Sequence, residues 1–121
     1  GTLMIGKSNY GGFLRDYGSG SYEWDIKSGS ENNVYATIPT FSQWHFLVGT
    51  YDGSIQRLYV DGELKSSQSL SVNPATTNDF GIAACLFCGP SQFAKATIDD
   101  LRIYNRALTA AEIQAIYDAT K

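Results

Sequence analysis

The run Ala96-Thr-Ile-Asp-Asp-Leu-Arg-Ile-Tyr-Asn-Arg-Ala-Leu-Thr-Ala-Ala-Glu-Ile113 decides the fold of this chain. Its first half is rich in β-branched and aromatic residues, and it predicts a strand over Ala96–Tyr104. Its second half predicts a helix start. Thr109 is a natural N-cap, and Glu112 three residues later can reach back to the cap's own N–H, which makes a capping box. Leu108 before the cap and Ile113 after it can close as a hydrophobic staple. The helix extends over Thr109–Ala119, with Ile113, Ile116 and Tyr117 on the face that should dock on a core.

Working outward from this run, the preceding residues read as short strands between turn compositions. Strands are expected over Leu3–Lys7, Gly12–Tyr17, Tyr22–Lys27, Asn33–Ile38, Trp44–Tyr51, Gln56–Val60, Glu63–Ser67 and Phe80–Ala84. Asp52-Gly53 and Asp61-Gly62 sit between alternating apolar residues and signal hairpins, because both residue types tolerate positive φ. Many antiparallel strands and one short C-terminal helix specify an all-β protein, a two-sheet antiparallel jelly-roll sandwich formed by a single domain over residues 1–121.

Two blocks carry a family resemblance. Ile98-Asp-Asp-Leu-Arg-Ile-Tyr-Asn-Arg-Ala-Leu-Thr109 resembles the closing motif of laminin-G-like domains in the concanavalin A-like lectin/glucanase superfamily. Trp44-His-Phe-Leu-Val-Gly-Thr-Tyr-Asp-Gly53, followed by Arg57-Leu-Tyr-Val-Asp-Gly-Glu-Leu64, is similar to the family's tryptophan–histidine strand and "yvDG" hairpin. The resemblance implies a sandwich that binds glycans or serves adhesion. Such domains usually open with further strands ahead of the segment equivalent to Leu3–Lys7, and here they are lacking. Two consequences are open: a smaller sandwich, or open sheet edges that pair with a second copy as a homodimer.

Composition narrows the function classes. The 121 residues carry a net charge of −3 and 43% hydrophobic residues, so a folded core is expected and a basic footprint for nucleic acid is not. No apolar run approaches the ~20 residues that span a bilayer. Low charge, 12 glycines and many Tyr, Ser, Thr and Asn fit an extracellular or cell-surface β-protein. Cys85 and Cys88 lack the further ligands a structural zinc needs and the helix start that a redox pair uses, which leaves a local disulfide or two quiet thiols.

The glucanase branch of the superfamily uses a Glu-x-Asp-x-x-Glu strand, and Glu23-Trp-Asp25-Ile-Lys-Ser28 copies its first two acids only. With serine in the third place the general acid is absent, so no enzyme activity is expected there. Alternation places Asp99 beside Leu101 and Ile103 on a face expected to be buried, where a carboxylate must be paired or metal-bound. The resemblance implies a structural calcium near this motif, which makes Asp99 the candidate metal ligand, with Arg106 or backbone N–H groups as alternative partners. Trp44 is expected in the core, and His45 is expected as a hydrogen-bonded strand residue. Tyr17, Tyr22, Trp24 and Tyr35 are the candidate ligand-binding residues, since sugar rings present apolar C–H faces that stack on aromatics. For Trp24 the alternative is the inner face of the sandwich. The expected partner is a glycan or other cell-surface ligand; the alternative is a structural or protein–protein accessory domain without a sugar site.

Overall fold

The computed structural model describes residues 3–7, 12–16, 20–38, 43–74, 80–82 and 97–121. Among the described residues, eight strands and one helix follow one another: β1 (Leu3–Lys7), β2 (Gly12–Asp16), β3 (Ser21–Ser28), β4 (Ser30–Thr37), β5 (Leu47–Tyr51), β6 (Ile55–Val60), β7 (Glu63–Ser69), β8 (Phe80–Ile82) and α1 (Ala110–Thr120). They form two antiparallel sheets, ordered β4-β3-β2-β1-β8 and β5-β6-β7. β2, β3 and β4 of the first sheet face β5, β6 and β7 of the second, which makes a sandwich.

The turns explain the topology. Asp61 and Gly62 take φ of 53° and 83°, so both occupy the left-handed region that a two-residue hairpin between β6 and β7 requires. Asp52-Gly53 solves the same problem differently. Only Gly53 has positive φ (92°), and the Asp52 carboxylate accepts the Ser54 and Ile55 N–H groups at 2.9 and 2.7 Å, an Asx-type turn.

Alternation along each strand sets the core. On β3 the side chains of Tyr22, Trp24 and Ile26 point inward, and on β4 those of Val34 and Ala36 do so. They meet Leu58 and Val60 of β6 and Leu47 of β5. A bulge between Leu58 and Tyr59 breaks the period of two there, and Leu58, Tyr59 and Val60 are buried in succession. A buried amide also links the two sheets. Gln56, fully buried, donates to the carbonyls of Trp24 (2.9 Å) and Asn32 (2.8 Å) and accepts from Gln68 (2.7 Å), so its amide is satisfied on both sides.

The helix forms as its sequence dictates. Thr109 Oγ1 accepts the Glu112 N–H at 3.2 Å, and a Glu112 carboxylate oxygen accepts the Thr109 N–H at 2.8 Å. Ile113 is fully buried, Ile116 and Tyr117 are half-buried, and the Tyr117 ring stacks on Phe46 with centroids 6.1 Å apart. The hairpin tip meets the helix closely: a side chain at Gly62 would lie 2.7 Å from the Gln114 amide oxygen.

Two expectations differ from the structure. Residues 97–104 form no strand, and Leu101, Ile103 and Tyr104 are exposed rather than core-facing. A strand is completed by hydrogen bonds to a neighbour, and high β-propensity alone does not supply one. Trp44 is 68% exposed because β5 begins only at Leu47, so the alternation that would bury it does not extend back to it. His45 is the hydrogen-bonded residue expected. Its Nδ1 lies 2.8 Å from Asp61 Oδ2, while Asp61 Oδ1 accepts the Phe46 N–H at 2.9 Å, which ties the entry of β5 to the β6–β7 turn.

Candidate functional site

The five-stranded sheet has an outer face, turned away from the second sheet, on which polar side chains line up across three strands. Antiparallel register sets Glu23 of β3 between Arg15 of β2 and Tyr35 of β4. One step along the same face, Asp25 stands opposite Asn33. Strand period alone puts Glu23 and Asp25 on this face, since Tyr22, Trp24 and Ile26 face the core.

Both carboxylates are buried, with 0% of their surface exposed. Arg15 donates through Nε (2.8 Å) and Nη2 (2.6 Å) to a single oxygen of Glu23, Oε2. Asp25 Oδ1 accepts the Asn32 N–H at 3.0 Å. The remaining oxygens, Glu23 Oε1 and Asp25 Oδ2, are buried and accept no hydrogen bond, and the same holds for Asn33 Oδ1. Burial pushes the Asp25 carboxyl up to about 6; the charges of Glu23 and Glu31 add to this, while the Asn32 N–H and Lys27 oppose it. Lys27 pairs with Glu31 at 2.8 Å, and that bond lowers the Glu31 carboxyl below its ordinary range. Beside this buried polar row the Tyr35 ring is 48% exposed, and its hydroxyl accepts from Asn33 Nδ2 at 2.7 Å.

The three aromatic candidates among the described residues do not gather into one site. Tyr22 and Trp24 belong to the core face, and the Trp24 indole N–H donates to the Thr50 carbonyl at 3.1 Å across the sandwich. The inner-face alternative for Trp24 therefore describes its position. Tyr35 lies on the opposite face of the sheet, and Tyr17 falls outside the described residues. Cys85 and Cys88 also fall outside them. Asp99 is exposed, next to Asp100, whose φ is 54° and whose carboxylate holds Arg102 at 2.9 Å. Arg106, the alternative partner of Asp99, instead grips Glu112 through two 2.9 Å bonds. No group of three or more His, Cys, Asp or Glu side chains converges among the described residues.

The outer-face row is only partly legible in sequence. The Glu-x-Asp pattern locates the two acids, but their burial and the roles of Arg15 and Asn33 depend on cross-strand register, for which no local signal exists. Ser28, where a glucanase would carry its third acid, stands at the end of β3 opposite Ser30.

Comparison with known proteins agrees with this architecture. A laminin-G-type profile, described as the concanavalin A-like lectin/glucanases superfamily, matches residues 1–114. No curated protein sequence matches. Among solved structures, the chain is similar to the 2.1 Å crystal structure of an S-layer domain-containing protein (residues 221–444) from Clostridium thermocellum, at 22% identity and a TM-score of 0.50. That alignment covers 91% of this chain and 58% of the other, so this chain spans a little over half the length of its neighbour, and the likeness is one of fold. With the two-sheet antiparallel sandwich, the capped C-terminal helix and a profile spanning nearly the whole sequence, the chain belongs to the concanavalin A-like lectin/glucanases superfamily.

Proposed function

We propose that this domain is a non-catalytic carbohydrate-binding or adhesion module of an extracellular or cell-surface protein, and that it meets its glycan on the outer face of the five-stranded sheet. The observation that carries this reading is the half-exposed Tyr35 ring set beside Asn33, Asp25, Glu23 and Arg15. A sugar offers an apolar C–H face for the ring and hydroxyls for the Tyr35 hydroxyl and the partly exposed Asn33 amide, while the buried Glu23 and Asp25 carboxylates hold the strands beneath them. Catalysis is not part of the proposal. Glu23 is engaged by Arg15, and no third acid occupies the position of Ser28 on this strand.

Glycan-array binding by the purified domain tests the reading. Binding should be present in the parent chain, lost in Tyr35→Ala and retained in Trp44→Ala, whose side chain projects elsewhere. A clean absence of binding, or binding lost only at Trp44, would overturn it. A second reading, a protein–protein or structural accessory domain, is favoured by the exposed apolar side chains of Leu101, Ile103 and Tyr104 on a segment outside either sheet. Light scattering separates the two: a dimer that Ile103→Lys dissociates, combined with no glycan binding, selects the second.

A further inference from the structure

Buried oxygens that accept nothing are costly, and three of them share one sheet face. An unsatisfied buried acceptor costs roughly 1–3 kcal/mol and a charged one more, so native proteins seldom leave several together. Here Glu23 Oε1, Asp25 Oδ2 and Asn33 Oδ1 are all in that state, whereas Thr50 Oγ1, the other such oxygen among the described residues, belongs to the second sheet.

Their placement is close. Asp25 and Asn33 are directly opposed across β3 and β4, a relation that sets Cβ atoms about 5 Å apart. Glu23 precedes Asp25 by two residues on the same strand and face, about 7 Å along it, and its side chain is one carbon longer. The cationic side chains nearby are engaged. Arg15 Nε and Nη2 both donate to Oε2 of Glu23, and Lys27 is bonded to Glu31. Asn33 spends its Nδ2 on the Tyr35 hydroxyl, which leaves its oxygen as the limb able to serve a ligand.

We infer that Glu23, Asp25 and Asn33 form a binding site for a hard divalent cation, calcium, on the outer face of the five-stranded sheet. All three donors are oxygens, two carboxylate and one amide, with no nitrogen or sulfur to favour zinc or copper. Calcium accepts irregular oxygen geometry at about 2.3–2.6 Å, with water completing the three protein donors, whereas magnesium demands a near-regular octahedron. The ion satisfies the three acceptors at once and balances the excess of carboxylates over cations in the row. This site is separate from Asp99, which is exposed on the C-terminal segment, and it stands whether or not a glycan binds the same face.

Calorimetric titration of the chelator-stripped chain with calcium chloride at pH 7.5, paired with thermal melts, tests the assignment. One saturable site is expected, and at a hundredfold excess over Kd the melting temperature should rise by roughly 10 °C. Magnesium should bind at least tenfold more weakly. Asp25→Asn and Glu23→Gln should abolish the heat and the shift while still melting cooperatively in chelator, and Asp99→Asn should keep both. Asn33→Asp adds a carboxylate at the same length and should tighten binding at least tenfold, so the idea stays testable even if a loss-of-function variant fails to fold. Absence of calcium binding by the parent chain overturns the proposal. So does binding that Asp99→Asn removes, or that Asn33→Asp leaves unchanged.

Discussion

Gly49→Ala is the sharpest test of how this sandwich is packed. Gly49 lies in the middle of β5, and the Trp24 indole is laid across it from the opposite sheet. A Cβ at position 49 would come within 2.8 Å of both Cε2 and Cε3 of that ring, closer than real Cβ contacts. The ring cannot slide away freely, because its N–H is bonded at 3.1 Å to the carbonyl of Thr50, the very next residue. Either the two sheets separate locally or the indole bond breaks. Overpacking costs about 1–3 kcal/mol and a lost hydrogen bond about 1, so a destabilisation of about 3 kcal/mol is expected. Against a total of roughly 5–15 kcal/mol for a domain of this kind, that is a large fraction.

The sign makes the argument refutable. Gly49 is not among the positive-φ glycines, so backbone freedom alone predicts that alanine would stabilise by about 0.4–1 kcal/mol. Urea denaturation followed by far-UV circular dichroism should instead show the midpoint falling by about 1.5 M, for a slope near 2 kcal/mol/M. Repeating the substitution in a Trp24→Leu background removes the ring and should restore the favourable sign. An unchanged or raised midpoint for Gly49→Ala alone would refute the packing, as would a loss of the same size in both backgrounds.

Arg15→Met strands the fully buried Glu23 charge and should cost about 3 kcal/mol at pH 7, much of it recovered in the Arg15→Met, Glu23→Gln double variant; equilibrium unfolding of the three variants measures this. Trp24→Ala should lose about 3–5 kcal/mol by the same assay, and a loss below 1 would remove it from the core. At the helix start, the Arg106 side chain and the Thr109 N–H hold the Glu112 carboxyl down at about 2, below its ordinary 4.5. The folded value is the lower one, so this support is complete above 4.5 and is lost as pH falls from there toward 2. Amide exchange of the first helical turn should accelerate across that window, and Glu112→Gln should flatten the response.

Much of this architecture was legible because its signals are local. The capping box needs four consecutive residues, and Thr109 and Glu112 make both of its bonds as read. The Asp61-Gly62 turn needs two, and both take positive φ. The strand expected over Ala96–Tyr104 has a β-like composition, but the described residues 97–104 join no sheet, and nothing within a strand's own sequence reveals whether it will be paired. Face assignment stayed open for a related reason. A period of two says that Tyr22 and Trp24 share a face and that Glu23 and Asp25 share the other, but it does not say which face is inside. Trp24 therefore read equally as a sugar platform or as an inner-face residue, and the structure gives it to the core and leaves Tyr35 on the outside.

That division along β3 governs what any functional experiment on this chain can report. A side chain on the inner face contributes to holding the two sheets together, so removing Trp24 or Tyr22 lowers the stability of the whole domain, and a loss of ligand binding in such a variant does not separate contact from folding. The outer face is different: Tyr35 and Asn33 touch solvent and one another, and changing them leaves the Leu58–Val34 core intact. Glu23 and Asp25 fall between these cases, because they are buried yet point away from the core, and their cost is electrostatic rather than steric. Charge-neutral, shape-preserving replacements such as Glu23→Gln and Asp25→Asn are accordingly the substitutions that separate binding from folding on this sheet.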